Sequence, residues 1–383
     1  MICVFDKFTD QNQFDTCGER ILNPTSAYIT QEFNGNYYYE LTAPMLPEDD
    51  SWQYIVPHNI IKASNGQLFP ISKISQNIVN GVPTVTAYAP HIWYYLSDKI
   101  VESAEINQFS CYWAIDYIHQ NTRWNKDPNC VDYDFRYGSD IGDLQYTKFE
   151  NVSYAYAILG SPDSIVNIYG GELYRDNFEF SVNRRMQNSD DHSFALVYGW
   201  NCTDVKRTLD YTDYITAIRM YDNINQSYSA IKGTGNRSFP HHVEVVKRSS
   251  YKDDDENLSN LRRDADRYWA EFAEIPRLTY EVAYTDLNGT KTPGWDGLQY
   301  VRVGDKGTVM DITGRTDTNM VISTKYNDLT GRNENVKLGN FRPSDMHISR
   351  WDKVMSGDSA AFRRLDVIES KENLFRVGEV EEQ

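Results

Sequence analysis

The chain has 383 residues, so about two to three compact units are expected from its length. Its formal net charge of −17 argues against tight binding of nucleic acid, because contacts with a phosphate backbone need clustered Lys and Arg side chains. An aromatic share of 14%, with 28 Tyr and 8 Trp, favours pleated sheets and protein interfaces over helical bundles.

Three negative features narrow the class of protein further. No run of about 18 uncharged apolar residues is present, so no membrane-spanning helix is expected. Residues 1–7 include an acidic side chain too early for a secretory signal peptide, which predicts folding in a cytoplasm. The cysteines show neither a C-x-x-C pair nor a zinc spacing, so buried free thiols are expected at Cys3, Cys17, Cys111, Cys130 and Cys202.

Two β-hairpins are predicted near the N-terminus. Asn34-Gly35 and Asn80-Gly81 each separate two strand-like runs, and Asn-Gly supplies the two positive-φ positions of a type I′ turn. The runs are residues 26–33 and 37–41 around the first turn, and 71–79 and 85–88 around the second. Residues 91–96 then carry apolar side chains at a helix-like spacing.

A change of pattern near residue 107 indicates an inserted α+β domain at residues 104–190. Apolar residues at i, i+3, i+4 and i+7 predict an amphipathic helix through Cys111, Ala114, Ile115 and Ile118. A second helix is predicted to begin at Ser161-Pro162, since Ser caps free amides and Pro suits the first helical position. Gly170-Gly171 ends that helix after about Tyr169, and residues 172–182 predict a strand, a tight turn and a strand.

Strands are expected to resume over residues 193–198 and 211–221. Residues 223–248 are rich in Gly, Ser and Asn with little periodicity, which predicts a long exposed loop. A helix is predicted over residues 257–274, because its apolar residues share one face and Pro276 ends it. The acidic run at residues 253–256 lies where the positive end of the helix dipole favours it.

The last strands predict a small β-barrel. Residues 278–284 alternate as a half-buried strand does, and Asn288-Gly289 follows as a turn. Further strands are predicted at residues 301–309 and 321–326, with a turn at 328–331 and a return through Val336 and Leu338. Residues 344–383 are polar and are interpreted as a helical or disordered C-terminal extension.

No pattern predicts a catalytic, cofactor-binding or metal-binding residue. Asp132 and Asp134 are spaced as in a calcium loop, but Arg136 and Tyr137 stand where an oxygen ligand and a glycine are needed. The pair His241-His242 lacks the H-E-x-x-H setting of a zinc peptidase.

Further patterns also favour structural interpretations. Cys111 and His119 lie about 12 Å apart along one predicted helix, too far for a thiolate and its base to hydrogen-bond. Gly233-Thr234-Gly235 lacks the third glycine and the strand-to-helix setting of a phosphate loop. The acidic run 253–256 has no calcium-loop glycine. A pair of carboxylates for glycoside cleavage needs no sequence signature and stays open.

Three stretches resemble the minor structural, or tail-associated, proteins of siphophages of Gram-positive hosts, which are similar to the baseplate hub of contractile-tailed phages. The first stretch joins residues 66–71 to residues 85–96. The second is a Gly-Gly-Glu hairpin at residues 170–178, followed by Tyr198-Gly199-Trp200-Asn201. The third combines residues 303–305, 325–328 and 337–341. Their order and spacing, more than any single motif, carry the resemblance.

The resemblance implies an α+β, mostly β fold like that of the baseplate hub, with two β-barrel-like domains, inserted α+β domains and a trimeric ring. The first hub domain would comprise residues 1–103 and 191–235, interrupted by the insertion at 104–190. The second would comprise residues 236–343, including the helix 257–274 and the terminal β-barrel. Residues 344–383 would form the C-terminal extension.

The implied function is that of a structural, non-enzymatic part of the tail tip of a bacteriophage or prophage, which closes the tail tube and forms the channel for DNA ejection. The implied partners are further copies in a homotrimer, the distal tail protein, the tape measure protein, and other tip proteins or fibres. DNA would pass without specific binding, since an acidic wall repels it. No cofactor and no stable membrane insertion are implied, and the expected location is the virion after assembly in the bacterial cytoplasm.

Two other functions stay open at this point. Relatives that continue into a peptidase or lysin-like domain suggest a cell-wall-degrading tail enzyme, although this chain stops soon after Phe341. The abundance of Tyr and Trp suggests a carbohydrate-binding receptor protein, because sugar rings stack on aromatic faces.

Overall fold

Strands dominate the structure. The computed structural model describes residues 1–123, 132–161, 163–186, 194–211, 214–222, 227–233, 243–248, 265–266, 269–270, 276–285 and 301–340. Within these ranges strands are far more extensive than helices, so the predicted class, α+β and mostly β, is confirmed.

Both predicted N-terminal hairpins are confirmed. The strands of this part are β1 (Cys3–Phe5), β2 (Arg20–Ile21), β3 (Ser26–Glu32), β4 (Tyr37–Pro44), β5 (Ile60–Lys62), β6 (Leu68–Pro70), β7 (Lys73–Val79) and β8 (Val82–Pro90). β3 pairs antiparallel with β4, and β7 with β8. Asn80 and Gly81 have φ values of 51° and 80°, as a type I′ turn requires. β1, β2, β5 and β6 form a separate four-stranded sheet.

The turn of the first hairpin differs from the predicted type I′ turn. Asn34 has a φ of 43°, but Gly35 does not have a positive φ. The loop is wider than two residues, since β3 ends at Glu32 and β4 begins at Tyr37. The Glu32 carboxylate accepts hydrogen bonds from the backbone N–H and the side-chain Nδ2 of Asn36, at 3.2 and 2.9 Å. A side chain therefore closes this loop, which the Asn-Gly signal alone does not predict.

The inserted segment holds two three-stranded sheets. Its strands are β9 (Ile100–Phe109), β10 (Thr122–Arg123), β11 (Arg136–Gly138), β12 (Gln145–Ser153), β13 (Glu172–Asp176) and β14 (Glu179–Asn183). β9 lies between β10 and β12, and β14 lies between β11 and β13. The predicted hairpin at residues 172–182 is confirmed as β13 and β14.

Two α-helices pack into this segment, α1 (Cys111–Gln120) and α2 (Ile165–Tyr169). The four predicted apolar positions of α1 are buried, which confirms its amphipathic face. The predicted start of α2 at Ser161 is wrong, because Ser164 precedes its first turn and makes no side-chain cap. The predicted end is confirmed, since Gly170 adopts the left-handed conformation with a φ of 63°. Shorter helical turns lie at Gln11–Gln13, Ser51–Tyr54, Ile92–Asp98 and Tyr156–Gly160.

The C-terminal strands follow the prediction only in part, since no strand is predicted at residues 202–210 and the one predicted at 211–221 begins at Ala217. They are β15 (Ala195–Val197), β16 (Cys202–Asp210), β17 (Ala217–Asp222), β18 (Ser227–Gly233), β19 (Val243–Arg248), β20 (Arg277–Tyr284), β21 (Lys306–Met310), β22 (Thr316–Asn327) and β23 (Arg332–Gly339). The strand predicted at residues 301–309 begins only at Lys306. A turn precedes it, in which the Asp305 N–H donates to the Arg302 carbonyl and Gly304 has a φ of 91°.

One large sheet joins both ends of the chain, in the order β16-β20-β23-β22-β3-β4-β8-β7, with β21 attached to β22 and β15 attached to β21. The ladder between β3 and β22 makes the connection. Within the described ranges this sheet is open, since its path ends at β16 and at β7, so it does not form the closed barrel implied above.

Three hydrophobic cores lie under these sheets. The smallest is surrounded by β15, β16 and β20 to β23 and contains Phe194, Leu196, Tyr280, Val309 and Leu338. These strands form a ring in which an isolated bridge between Tyr198 and Cys202 links the ends of β15 and β16. Among the described residues no full ladder of hydrogen bonds closes the ring, which is therefore barrel-like and not a closed barrel.

The loop predicted at residues 223–248 is partly wrong. β18 and β19 fall inside it and flank β17 in a three-stranded sheet, antiparallel on one side and parallel on the other. Backbone pairing orders a segment whose polar composition hides the strand signal. Of the predicted helix 257–274, residues 265–266 and 269–270 are described and are helical. The extension at 344–383 and the turn Asn288-Gly289 lie outside the described residues.

Candidate functional site: the hairpin junction

The inserted β13–β14 hairpin docks on the N-terminal sheets through polar side chains. We call this set the hairpin junction; it comprises Asn34, Gln67, His91, Arg175, Asp176 and Asn177. The first and second stretches of the resemblance supply all of these residues except Asn34. Positions as distant as Gln67 and Asp176, 109 apart along the chain, thus come into direct contact.

His91 is completely buried, and both of its ring nitrogens have partners. Nδ1 accepts a hydrogen bond from the Trp93 backbone N–H at 3.2 Å, and Nε2 lies 2.9 Å from Oε1 of Gln67. Because Nδ1 accepts, Nε2 carries the proton and donates to Gln67, which defines a neutral imidazole. Burial and, secondarily, the charge of Arg175 hold the pKa of His91 well below its usual value. Because its side chain accepts a hydrogen bond from the Trp93 N–H, His91 is the N-cap of the helical turn Ile92–Asp98.

Gln67 and Asn177 tie the tip of the hairpin to β6. Gln67 Nε2 donates to Oδ1 of Asp176 at 2.8 Å, and the Asn177 backbone N–H reaches Gln67 Oε1 at 3.3 Å. The Asn177 side chain donates to the Gly66 carbonyl at 3.1 Å and accepts from the Leu68 N–H at 2.8 Å. Asn177 has a φ of 49°, a left-handed conformation that Asn tolerates better than most residues. The turn is thus held from both sides.

Arg175 carries a buried positive charge in the middle of the junction. Its side chain donates to the Tyr94 hydroxyl at 3.2 Å and to the Gly35 carbonyl at 2.9 Å. The guanidinium carbon lies 5.4 to 5.8 Å from the ring centroids of Tyr37, Trp93 and Tyr94. Aromatic faces attract a cation most strongly where water is excluded. Three rings and two oxygens therefore hold a residue that is 3% exposed.

Asn34 completes the junction from the opposite side. Its Nδ2 donates to the Gly171 carbonyl at 3.0 Å, and its Oδ1 accepts from the Leu173 N–H at 2.8 Å. The amide thereby pairs with backbone groups of the hairpin as a neighbouring strand would. The sequence identifies Asn34 as a turn residue, whereas the structure shows that its side chain joins the insertion to the sheet.

The third stretch of the resemblance makes two further buried contacts. Asp328 accepts hydrogen bonds from the Tyr39 hydroxyl at 2.7 Å and from the Ser64 N–H at 3.1 Å, and the Ser64 hydroxyl also donates to it. Burial and the adjacent Asp328 carboxylate raise the pKa of Tyr39. Asp328 thus ties the turn after β22 to β4 and to the loop after β5.

The Gly-Gly-Glu and Val-Gly-Asp motifs approach each other. Glu172 accepts a hydrogen bond from the Met186 N–H at 2.6 Å, and a side chain at Gly304 would lie 3.6 Å from its Oε2. Asp305, 1% exposed, accepts from the Arg302 N–H at 2.9 Å. Burial raises the pKa of both carboxyl groups, and the backbone hydrogen bonds oppose that rise. Both buried carboxyl groups therefore accept hydrogen bonds from backbone N–H groups.

We expect Asp328→Asn to lower the free energy of unfolding by about 2 kcal/mol, because an amide NH₂ would face donors that now meet carboxylate oxygens. The matched control is Asp204→Asn, at an exposed strand position, which should change stability by less than about 0.5 kcal/mol. Thermal and chemical denaturation of the purified protein measure both. Equal stabilities of the two variants would contradict the assigned role of Asp328.

Two family models match the chain, one for each side of the insertion. The model described as the prophage endopeptidase tail N-terminal domain matches residues 7–91, and the model described as the prophage endopeptidase tail matches residues 190–348. Together they cover more than half of the chain. The chain belongs to the phage tail-associated proteins. Residues 92–189, which the two models leave unmatched, contain the β13–β14 hairpin.

Solved structures of phage tail proteins share the fold of this tail-associated protein. Prophage tail protein gp18 from Listeria monocytogenes EGD-e aligns with a TM-score of 0.59 and 16% identity, over 89% of this chain and 94% of that chain. The tail protein from Neisseria meningitidis MC58 gives 0.58 and 11%, over 88% and 96%. The prophage MuSo2 43 kDa tail protein from Shewanella oneidensis gives 0.57 and 11%, over 85% and 95%. No curated protein matches the sequence.

The patterns weighed for chemistry take structural positions in the tail-associated protein. Asp132 pairs with Lys99 at 3.3 Å. Cys111 is buried, and burial raises the pKa of its thiol to about 12, so thiolate is scarce at neutral pH. Burial also lowers the pKa of His119. Residues 234–235, 241–242 and 253–256 lie outside the described part of the chain.

The described residues offer neither a metal-binding cluster nor a membrane-spanning helix. Within these ranges, no group of three or more His, Cys, Asp or Glu side chains is placed to hold a metal ion. Among the helices that are described, none has the length and apolar character needed to cross a bilayer.

Proposed function

We propose that this chain is a structural, non-enzymatic hub of the phage tail tip, which works as a homotrimer, closes the tail tube and forms the channel for DNA ejection. The hairpin junction carries the proposal. Its His, Arg and Asp side chains are the types that enzymes aim at substrates, yet here they bond to backbone groups, side-chain groups and aromatic rings of the protein itself. We expect these hydrogen bonds and ring contacts to hold the insertion in a fixed position on the sheet, as a structural component of an assembly requires.

Charge and composition support the same function. A formal net charge of −17 would repel DNA from a channel wall and allow it to pass without being trapped. The proposed neighbours are the distal tail protein, the tape measure protein and other tip proteins or fibres, in the virion. The two hub domains, the insertion and the extension keep their predicted boundaries as part of this proposal, with β3 and β22 joining the first and second hub domains.

The trimer can be tested on the purified full chain. We expect native mass spectrometry and analytical ultracentrifugation at micromolar concentration to show three copies, and cryo-electron microscopy of tails to show threefold density at the tip. Deletion of the gene from the phage should give particles that fail to eject DNA, with rescue by a copy in trans. A monomer in assembled tails, or infectious particles without the protein, would contradict the proposal.

The name of the matching family favours one second function, that of an endopeptidase. Incubation of the purified chain with host cell walls, followed by analysis of released peptides, separates the two functions. We expect no peptide release above a heat-inactivated sample, while a commercial peptidase in a parallel sample releases peptides. Time-dependent release that disappears on heating would establish the enzyme instead.

A further inference from the structure

The tip of the β7–β8 hairpin is apolar and exposed. Ile78, Val79 and Val82, which we call the arm, are 69%, 48% and 38% exposed. β7 is the last strand of the large sheet, so one edge of its backbone pairs with no strand among the described residues. Edge strands of soluble proteins usually carry charges or proline that prevent association. β7 carries one charge, Lys73 at its start, and residues 74–90 contain no charged residue, although charged residues make up 24% of the chain.

A second exposed apolar surface lies where β15 and β21 end. Tyr198, Trp200, Met310 and Ile312, which we call the turn patch, are 47%, 59%, 36% and 68% exposed. They belong to one surface, because the Tyr198 N–H donates to the Met310 carbonyl at 3.1 Å. Tyr198-Gly199-Trp200-Asn201 belongs to the second stretch of the resemblance and lies outside the hairpin junction. Large apolar side chains grouped in this way on a soluble protein mark a contact site.

The turn patch stands on two turns that side chains make rigid. Asn201 is buried; its Oδ1 accepts from the Val197 N–H at 2.7 Å, and its Nδ2 donates to the Ala195 carbonyl at 2.8 Å. Asp311 Oδ1 accepts from the backbone N–H groups of Thr313 and Arg315, at 2.8 and 3.1 Å. A surface that is already ordered loses little entropy on binding.

The arm and the turn patch are distinct surfaces of the same chain. β8, β4 and β3 separate β7 from β22, and the turn patch lies beyond β22 on β21 and β15. A ring of three identical copies requires two different surfaces that face each other at every contact, because a cyclic contact of this kind is heterologous. The chain presents two such surfaces.

We infer that the arm of one copy packs on the turn patch of the next copy, an inference that rests on the homotrimer proposed above. Electrostatics favour a second copy as the occupant of each surface. Two copies that each carry −17 repel through most of their surface, so they associate best where charge is absent. The arm segment 74–90 and the segment 194–203, which supplies Tyr198 and Trp200, are both free of charged residues. Between Met310 and Ile312, the Asp311 carboxylate is occupied by hydrogen bonds within its own turn. Trp and Tyr also provide a large share of binding energy at protein interfaces.

The test uses opposite charges at the two surfaces of the full chain. Val79→Lys and Ile312→Glu each place an unpaired charge in the proposed contact, and each should weaken trimer formation at least tenfold in sedimentation equilibrium. The double variant Val79→Lys/Ile312→Glu brings Lys against Glu at every contact and should recover most of the association. Both positions are exposed, so the thermal unfolding midpoint should stay within about 2 °C of the unaltered chain.

Controls and contrary outcomes separate this inference from the proposed function. Phe8→Lys and Leu144→Glu change apolar residues that are 58% and 55% exposed outside both surfaces, and they should leave the trimer intact. A trimer that persists in both single variants, or one that only Val79→Lys disrupts, would overturn the arm contact and leave the proposed trimer standing. An unaltered chain that stays monomeric would overturn the trimer and the contact together.

Discussion

Arg175→Met should lower the free energy of unfolding by about 3 kcal/mol or more. The substitution removes two hydrogen bonds from a charged donor and three cation–aromatic contacts, and the Gly35 carbonyl keeps only the longer hydrogen bond from the Tyr94 hydroxyl, at 3.3 Å, of the two described. Hydrogen exchange should show the loss locally, with faster exchange of the amides of β13 and β14. Thermal and guanidinium denaturation provide the global value.

Two companion variants make this result specific. Arg175→Lys keeps the charge but loses the planar fork that bridges Tyr94 and Gly35, so it should be destabilised by an intermediate amount. Arg136→Met, on strand β11 of the same sheet, removes an ion pair with Glu179 from a side chain that is 82% exposed, and should cost less than about 1 kcal/mol. If Arg175→Met were no less stable than Arg136→Met, the junction would not hold the insertion in place.

His91 should make the protein less stable in mild acid. Its pKa in the folded protein lies below its ordinary value of about 6.5, so the unfolded chain binds the proton more readily. The stabilisation from a neutral His91 is therefore complete above about pH 6.5 and is lost as the pH falls below it. Between pH 7.5 and 5.5 this single group should cost at most about 1.4 kcal/mol, a limit that the pKa of the unfolded chain sets.

The variant His91→Asn isolates that contribution. Asn keeps an acceptor for the Trp93 N–H and cannot titrate, so the stability of this variant should fall less than that of the unaltered chain over the same interval, by up to about 1.4 kcal/mol. The pKa of His119 is also lowered, and those of Glu172 and Asp305 are raised, but these groups are present in both proteins and cancel in the difference. His58→Asn, at an exposed position, is the control and should keep the full acid sensitivity. Parallel profiles for His91→Asn and the unaltered chain would contradict a buried neutral His91.

Several elements could be predicted because their signals are local. Asn80-Gly81 forms its type I′ turn through the conformations of two adjacent residues. The buried face of α1 follows from the helical period over a few turns, and Gly170 ends α2 because Gly tolerates a left-handed conformation. Each of these depends on residues within a few positions of one another.

Predictions failed where a contact outside the local window decided the structure. In the loop at Asn34-Gly35, the Glu32 carboxylate accepts a hydrogen bond from the Asn36 N–H. The Asn34 side chain donates to the Gly171 carbonyl, 137 positions away along the chain. The start of α2 is an exception, since it moves from Ser161 to Ile165 while the Ser161 carbonyl accepts a hydrogen bond at 2.7 Å from the side chain of Asn167, six positions away. β18 and β19 are ordered by pairing with β17, which composition alone does not reveal.

The candidate site shows the same division. Gln67, His91 and Arg175 all lie within stretches that the resemblance had singled out, but no spacing in the sequence indicated that they meet. A possible signal was the presence of an ionisable side chain at a position of a short strand or helical start that the pattern predicts to be buried, as at Arg175 and His91. Such a residue must find partners, since an unpaired buried polar group is unfavourable by about 1–3 kcal/mol.

Composition, net charge and hydrophobic periodicity predicted an acidic, mostly β protein with hairpins and an amphipathic helix. These properties depend on neighbouring residues or on totals over the whole chain. Which polar side chains are buried, and which apolar side chains stay exposed as the arm and the turn patch, depends on strands brought together from both ends of the chain. The ladder between β3 and β22 joins positions almost 300 residues apart along the chain, and no local preference encodes such a pairing.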